Sequence, residues 1–433
     1  MQSATDTVSV LFQPLGTPES LWARAAQGLA PTARPRVNAH IHLPPNFSAF
    51  DTVAQAIDLA DAQQVRVLGA SNYYDYTVYG EFAQQAAQHG IFPLFGIEII
   101  ALIDDLVRAG IKLNDPGNPG KMYLCGKGIS RFDPMTPEAT ELLDVIRSKD
   151  SERMARMVAR LAEVFAATGL ETGLYGQAVK AGIVARHGSP LSTVYLQERH
   201  VAQAFQEALF AEVTPEERGA ALAQIFGVPS KVGADDAAGV QNEIRSHLMK
   251  AGKSAYVEET FVGFEHAFAL ILALGGIPCY PTLADGTAPL CPYEDPVETL
   301  IANTKARDIH CAEFIPVRNS PEVLTHYVKA MRAAGLVITA GTEHNTRDML
   351  PIEPTCVRGQ PIPEEIQEIF WEGACVVAAH QVLTAQGQPG FVDAQGRPNA
   401  AYASDEARIA AFRSLGAAII ARFQETVTTG KKG

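Results

Sequence analysis

The stretch Arg36-Val-Asn-Ala-His-Ile-His-Leu43 carries two histidines, one residue apart, at the end of a short apolar run. In a β-strand the side chains of residues i and i+2 point to the same face, so His40 and His42 can contact one ligand together. Neutral imidazole is a common ligand of zinc, iron and related metals. The pair therefore predicts a metal site at the end of a strand, although two unrelated histidines would give the same short pattern.

Length and composition narrow the class of protein. The 433 residues suffice for one large or two ordinary domains, and the 47% of apolar residues indicates a globular chain. The net charge of −13, without a long basic run, argues against nucleic acid as a partner. Six cysteines without a CxxC pair are typical of reduced thiols in a cytoplasmic protein. We expect no secretory signal and no membrane span, because no apolar run reaches roughly 18 residues. The sequence is compatible with a homo-oligomer and does not decide the oligomeric state.

Hydrophobic periodicity predicts alternating strands and helices. Strands are expected at 36–43, 65–70 and 92–100, with helices at 49–63 and 79–89 between them. The rhythm returns after residue 255, and it is typical of a parallel sheet or barrel. Residues 136–250 are mainly helical. The predicted parts are an N-terminal extension (1–35), a first barrel part (36–100), a mainly helical insertion (101–254), a second barrel part (255–385) and a C-terminal extension with a terminal helix (386–433).

Polar residues that can ligate metals or bind substrates follow nearly every predicted strand. In parallel α/β folds, ligands bind at the carboxyl ends of the strands. Besides His40 and His42, the residues in such positions are Asn72, Tyr73, Asp75, Glu98, Tyr280, Asp285, Glu313, Glu343 and His344. Each alone could be a helix cap or a solvated loop residue. Their joint occurrence favours a metal site.

In this order the residues resemble the polymerase-and-histidinol-phosphatase (PHP) family of metal-dependent hydrolases, and in particular its long-insertion phosphoesterases. The matching segments are His40-Ile-His42, Gly96-Ile-Glu98, Glu198-Arg-His200, Gly252-Lys-Ser-Ala-Tyr-Val257, Gly275-Gly-Ile-Pro-Cys-Tyr-Pro281 and Gly341-Thr-Glu-His-Asn345. The resemblance covers about residues 36–100 and 190–350. It implies an α/β fold, a PHP-type distorted (β/α)7 TIM-like barrel with an inserted helical subdomain.

The resemblance also implies a set of metal ligands. The first metal would be held by His40, His42, Glu98 and Glu343. A second would use Glu98, His200 and the position of Tyr280, where the family has histidine. A third would lose its imidazoles at Tyr73 and Asn345. We therefore expect one divalent ion or two, of zinc, manganese or iron, and not three.

A metal with an open position activates water for hydrolysis, and a phosphate ester additionally needs cationic groups around its oxygens. The candidates for contacts with an anionic small-molecule substrate are Lys127, Arg131, Arg199 and Tyr73, and Lys121 is a further cation near them. The candidates for catalysis are His200, Tyr280 and His344. The sequence thus predicts a metal-dependent phosphoesterase that acts on a small phosphorylated metabolite.

Two alternatives remain at this stage. One is an amidohydrolase-type enzyme that acts on a small molecule without phosphate, since such enzymes also begin with a His-x-His strand. The other is a PHP-like binding protein that has lost catalysis. The residues Asn72, Tyr73 and Tyr280, where the family has other side chains, favour this second alternative.

Overall fold

The computed structural model describes residues 7–430, so residues 1–6 and 431–433 of the two predicted extensions lie outside the described residues. Within this range one mixed sheet contains eight strands. They are β1 (Arg36–Ile41), β2 (Val65–Ala70), β3 (Phe92–Leu102), β4 (Lys121–Lys127), β5 (Val262–Gly263), β6 (Ile277–Thr282), β7 (Cys311–Phe314) and β8 (Val337–Ala340).

The described residues also form fifteen α-helices. They are α1 (Thr7–Phe12), α2 (Pro18–Ala26), α3 (Val53–Ala62), α4 (Tyr79–Gln88), α5 (Asp104–Ala109), α6 (Pro137–Ala166), α7 (Gly176–His187), α8 (Glu198–Glu212), α9 (Pro215–Phe226), α10 (Ala237–Ile244), α11 (Phe264–Ala273), α12 (Val297–Lys305), α13 (Pro321–Ala333), α14 (Glu364–Ala385) and α15 (Asp405–Gly430). Among these described residues, no helix combines the length and apolar character that crossing a bilayer requires.

The sheet curls into a nearly closed barrel. Its strands follow the order β1-β2-β3-β4-β6-β7-β8, and β5 pairs with β3 outside this path. A parallel bridge between Ile41 and Glu343 joins the chain after β8 to the end of β1. Most strand residues are buried because helices cover the outside, which explains their nearly continuous apolar runs. The predicted α/β barrel is therefore confirmed.

One strand runs against the others. In the sheet β4 lies between β3 and β6, and it pairs with both in antiparallel direction. Its first residue, Lys121, pairs with Leu102 at the end of β3, whereas Lys127 pairs with Ile277 at the beginning of β6. Lys121 thus lies at the carboxyl ends of the parallel strands and Lys127 lies toward their amino ends. This strand belongs to the barrel although it falls within the range 101–254 predicted for the insertion.

A second hydrophobic core lies outside the barrel. It is built by buried residues between Met154 and Val257, most of them on α6 to α10. The predicted mainly helical range 136–250 begins with one long helix, α6, because no glycine or proline interrupts the chain after Pro137. Thr136 caps its beginning by accepting a hydrogen bond from the Ala139 amide. The sequence pattern does not predict α1, α5, α12 or β5, which are short or only weakly periodic.

Candidate metal centre

Three buried side chains meet at the carboxyl end of the barrel. His40 lies near the end of β1, His42 directly follows this strand, and Glu98 comes from β3. The Glu98 Oε2 atom lies 3.4 Å from His40 Nε2 and 3.1 Å from His42 Nε2, and the two Nε2 atoms are 3.4 Å apart. Two ligands that each bind one ion at about 2.1 Å in tetrahedral geometry are roughly 3.4 Å apart. The three atoms therefore have the spacing of ligands to one ion.

The bonding of these atoms also fits a cation. Among the described residues, Glu98 Oε2 and His42 Nδ1 are buried without a hydrogen-bond partner. Buried polar atoms are rarely left in this state, because each loses its bond to water. The unpaired carboxylate oxygen faces two imidazole nitrogens, a donor set that suits zinc, iron or manganese. The residues present therefore fit a divalent metal ion.

Further side chains hold the ligands in place. His40 Nδ1 is 2.6 Å from Glu313 Oε1, and Lys127 Nζ is 2.5 Å from the other oxygen of Glu313. This contact makes Nδ1 the donor of His40 and leaves its Nε2 lone pair for the centre. On the other side the Tyr73 hydroxyl donates to Glu98 Oε1 at 2.8 Å, and the Tyr73 ring stacks on His42. Both faces of the centre are thus supported.

The charges shift the protonation of two ligands. Burial acts to lower the pKa of His40, but the Glu313 carboxylate outweighs it and raises that pKa well above its usual value. Burial acts to raise the pKa of Glu98, but the adjacent His40 and His42 rings outweigh it and lower that pKa. A bound cation would have to displace a proton from the His40 imidazole, so we expect its affinity to rise with pH.

A second group of possible ligands, formed by His40, Cys125 and Glu313, fits a metal less well. The Lys127 ammonium already neutralises Glu313, and burial raises the pKa of the Cys125 thiol to about 12. A thiol must lose its proton to bind a metal, and this one is held protonated. We therefore assign this group the role of orienting His40.

The centre lies in the floor of a cavity of about 520 Å³. His40, Glu98 and Tyr73 form the floor on the barrel side. A wall of the same cavity comes from the helical insertion. Its lining residues are Asp150, Met154, Gln197, Glu198, Arg199, Arg245 and Lys250. A molecule in this cavity would contact the barrel and the insertion at once.

Most charged groups in the wall are paired. Glu198 is 2.7 Å from Lys250 and 2.9 Å from Arg153, and Lys121 is 2.8 Å from Glu259. Arg199 is different, because among the described residues no carboxylate lies within 4.0 Å of its guanidinium. Burial and the neighbouring Arg245 lower the pKa of Arg199 to about 10, so it stays charged at neutral pH. Arg199 is therefore free to bind an anion.

Glu343 also lines the cavity, but its carboxylate is engaged elsewhere. Arg318 Nη1 donates to Glu343 Oε1 at 2.9 Å, and Arg318 Nη2 donates to Oε2. Asn345 adds a bond of 2.6 Å. Among the described residues, the ligand group around His40 and His42 contains Glu98 and does not include Glu343. The role of Glu343 as a fourth ligand stays a prediction.

Three residues predicted to take part in catalysis lie outside the cavity lining. His200 caps its own helix by accepting from the Gln197 amide at 3.1 Å, and burial lowers its pKa to about 3. The Tyr280 hydroxyl donates to Glu294 at 2.9 Å. His344 contacts Thr342 and the Leu350 carbonyl. The structure does not bring these three side chains to His40, His42 and Glu98.

Of the four residues predicted to contact the substrate, two line the cavity and two do not. Tyr73 and Arg199 line the cavity, whereas Lys127 and Arg131 do not. Lys127 is buried inside the barrel against Glu313, and Arg131 is exposed beyond the end of β4. The reason is the direction of β4, which carries its end away from the cavity and brings its beginning, Lys121, to it.

Some lining residues were not singled out from the sequence. Arg318 follows β7 and could have been found by the rule that strand ends face the site. Asp150, Arg245 and Lys250 lie within or after helices of the insertion, and their pattern there is that of ordinary surface charges. Only the packing of the insertion on the barrel brings them to the cavity.

Comparison with known proteins supports the fold. No protein-family model matches the chain, and no curated protein matches its sequence. A solved structure from Bifidobacterium adolescentis, provisionally described as a metal-dependent phosphoesterase, superposes with a TM-score of 0.50 at 14% identity and covers 78% of this chain and 96% of its own. An amidohydrolase from Chromobacterium violaceum, with bound sulfate and no metal, superposes with a TM-score of 0.49 at 19% identity and covers 77% and 96%. At these identities the first likeness shows a shared fold alone, and the second is too loose to support a conclusion.

Proposed function

We propose that this protein is a metal-dependent hydrolase of a small anionic ester, and that the ester is a phosphate monoester. The observation that carries the proposal is that His40, His42 and Glu98 meet at a cavity whose wall contains an unpaired guanidinium, that of Arg199. The first group fits a divalent ion and the second fits an anion. A cavity of about 520 Å³ suits a metabolite.

The proposed roles follow from the contacts. His40 and His42 hold one ion of zinc, manganese or iron through their Nε2 atoms, and Glu98 holds it through Oε2. Such an ion, when bound, supplies a water of lowered pKa and polarises an ester oxygen. Glu313 keeps the His40 ring oriented, and Tyr73 keeps the Glu98 carboxylate oriented, each through one hydrogen bond. Packing around the ligands limits the entry of bulk water, since all three are buried.

The cationic groups favour a phosphate over a neutral amide. Arg199 offers its guanidinium without a competing carboxylate, and Arg318 lines the cavity with its orientation set by Glu343. Guanidinium groups match the geometry of phosphate oxygens and neutralise the charge that develops on them during transfer. A neutral amide or lactone would leave the half-buried Arg199 without a counter-ion.

The test is an assay of the purified protein after its metals are removed and zinc, manganese or iron is added back. We expect one ion per chain by elemental analysis and release of phosphate from small monoesters. Lactones and amides assayed in parallel would identify the amidohydrolase alternative. If none of the three metals binds or raises the melting temperature, the protein is a binding module and the proposal is wrong.

A further inference from the structure

One carboxyl group in the cavity wall has no partner. Asp150, on α6, is only 6% exposed, and it lines the cavity. Among the described residues no hydrogen-bond donor contacts its carboxyl group, and no cation lies within 4.0 Å of it. An unpaired buried carboxylate is costly, so this position requires either a proton on the group or a ligand beside it.

The surrounding charges explain why Asp150 is left unpaired. Arg153 on the same helix contacts Glu198 of α8 at 2.9 Å. Lys121 of β4 contacts Asp115 at 3.2 Å, in addition to Glu259. Tyr74, from the turn after β2, is a further titratable group that interacts with Asp150. The nearby cations are thus already taken by other carboxylates.

This environment favours the protonated form of Asp150. Burial raises its pKa to about 7, Arg153 and Lys121 oppose the shift, and Glu198 adds to it. Glu198, in the same wall, differs because Lys250, Lys121 and Arg153 hold its pKa below its usual value although burial acts to raise it. Near neutral pH Asp150 can therefore give up a proton, whereas Glu198 cannot.

The position of Asp150 in the cavity suits contact with the leaving group of the substrate. A substrate whose reacting atom lies over His40 and Glu98 can extend toward the insertion, because residues of the insertion, Asp150 among them, line the same cavity. The bond to the leaving group then points away from the floor, toward α6. Attack and departure on opposite sides are the geometry of in-line displacement.

We propose that Asp150 is the general acid of this site and protonates the oxygen of the leaving group, an inference that rests on the proposed function. In this step a water oxygen forms a bond to phosphorus, and the bond from phosphorus to the leaving oxygen breaks. The electron pair of that bond stays on the leaving oxygen, which takes the Asp150 proton and departs as an alcohol. The proton lost by the attacking water is equivalent to the one that restores Asp150, so each turnover consumes one water and no net proton.

The experiment compares Asp150→Asn with the unaltered protein on phenyl phosphate and on 4-nitrophenyl phosphate, each loaded with the same metal. Phenolate is a poor leaving group that needs a proton, and 4-nitrophenolate departs without one. We expect kcat on phenyl phosphate to fall by about 100-fold or more, with little change on 4-nitrophenyl phosphate. The decline of the rate above pH 7 should disappear in the variant. Glu152→Gln, which alters an exposed carboxylate two residues along the same helix, should change neither substrate.

The outcomes separate the two proposals. If the unaltered protein hydrolyses neither ester with any of the three metals, the proposed function fails and the role of Asp150 fails with it. If it hydrolyses both and Asp150→Asn slows both equally, the proposed function stands and the role of Asp150 is wrong. The same conclusion follows if the variant keeps the decline of rate at alkaline pH. The melting temperature of each variant shows that the fold is intact.

Discussion

The floor of the cavity, built by β1 and β3, and its wall, built by α6 and α8, treat their charged side chains differently. In the floor, His40 is supported by Glu313 and Glu98 by Tyr73, and the unpaired Glu98 oxygen, Oε2, faces the centre. In the wall Arg199 and Asp150 have no such partner among the described residues. Supported ligands suit a resident ion that must be held in one geometry. Unpaired groups suit a substrate that comes and goes.

The largest expected effect is in the floor. His40→Ala should reduce the bound metal from one ion per chain to nearly none, because losing a ligand must cost more than the 10–100-fold in affinity that losing only its supporting partner costs. Elemental analysis after dialysis measures this directly. His326→Ala, which removes an exposed histidine on α13, should leave the metal content unchanged.

The metal content of Glu343→Gln, which alters another carboxylate of the cavity lining, is to be compared with that of His40→Ala. Because Arg318 holds both oxygens of Glu343, the amide should leave the metal content at one ion per chain. Loss of metal from this variant would establish Glu343 as the fourth ligand that the resemblance implies. The same result would show that the floor extends to the chain after β8.

The second largest effect is expected for the buried ion pair of Lys127 with Glu313, the residue that orients His40. Lys127→Met should lower the free energy of unfolding by about 3–5 kcal/mol, because it leaves the Glu313 carboxylate buried without its counter-ion. Urea denaturation measures the change. Lys329→Met removes an exposed ammonium that contacts Glu365, and it should change stability by less than about 0.5 kcal/mol.

The double variant Lys127→Met with Glu313→Gln tests the same point in another way. It should recover part of the lost stability, since both buried charges are then gone. Equal losses for Lys127→Met and Lys329→Met would contradict the description of a charged pair inside the barrel. In that case the metal affinity should also be unaffected by Lys127.

Asp150, in the cavity wall, should make the free energy of unfolding depend on pH. The pKa of Asp150 is raised to about 7 in the folded chain from 3.8 in the unfolded chain, so the folded chain binds more protons between these values. Stability should therefore fall as pH rises from about 4 to 7, by about 4 kcal/mol in total. Asp150→Asn should lack this contribution, and its stability relative to the unaltered protein should rise with pH. Urea denaturation of both proteins at pH 5, 6 and 8 measures the difference. A constant difference would contradict the raised pKa.

The metal ligands in the cavity floor can be predicted from the sequence, because local rules decide where these residues lie. A period of two places His40 and His42 on one face of a strand, and the parallel arrangement brings Glu98 to the same end. The first relation holds within a single strand, and the second holds along the three successive parallel strands β1, β2 and β3. The barrel itself was predicted in the same way, from the alternation of strands and helices.

Those rules do not predict which residues form the cavity wall. The direction of β4 decides whether Lys121 or Lys127 faces the cavity, and both directions are compatible with the same apolar pattern. Asp150 lies between charged residues on a long helix, where it has the appearance of a solvated face until α6 packs on the barrel mouth. These positions depend on contacts between residues far apart in the chain, which no local pattern encodes.

The smallest effect separates binding from chemistry in the wall. Arg199→Gln should reduce kcat/KM for a phosphate monoester by about 10–100-fold, because a hydrogen bond to a charged group contributes about 1.5–3 kcal/mol. Most of the change should lie in KM, since Arg199 would contact the anion before and during the reaction. Metal content should stay at one ion per chain. Arg186→Gln alters another arginine of the insertion, one that contacts Glu207 on the surface, and it should leave KM unchanged. If Arg199→Gln lowers metal content instead of raising KM, floor and wall form one electrostatic unit and the division between them does not hold.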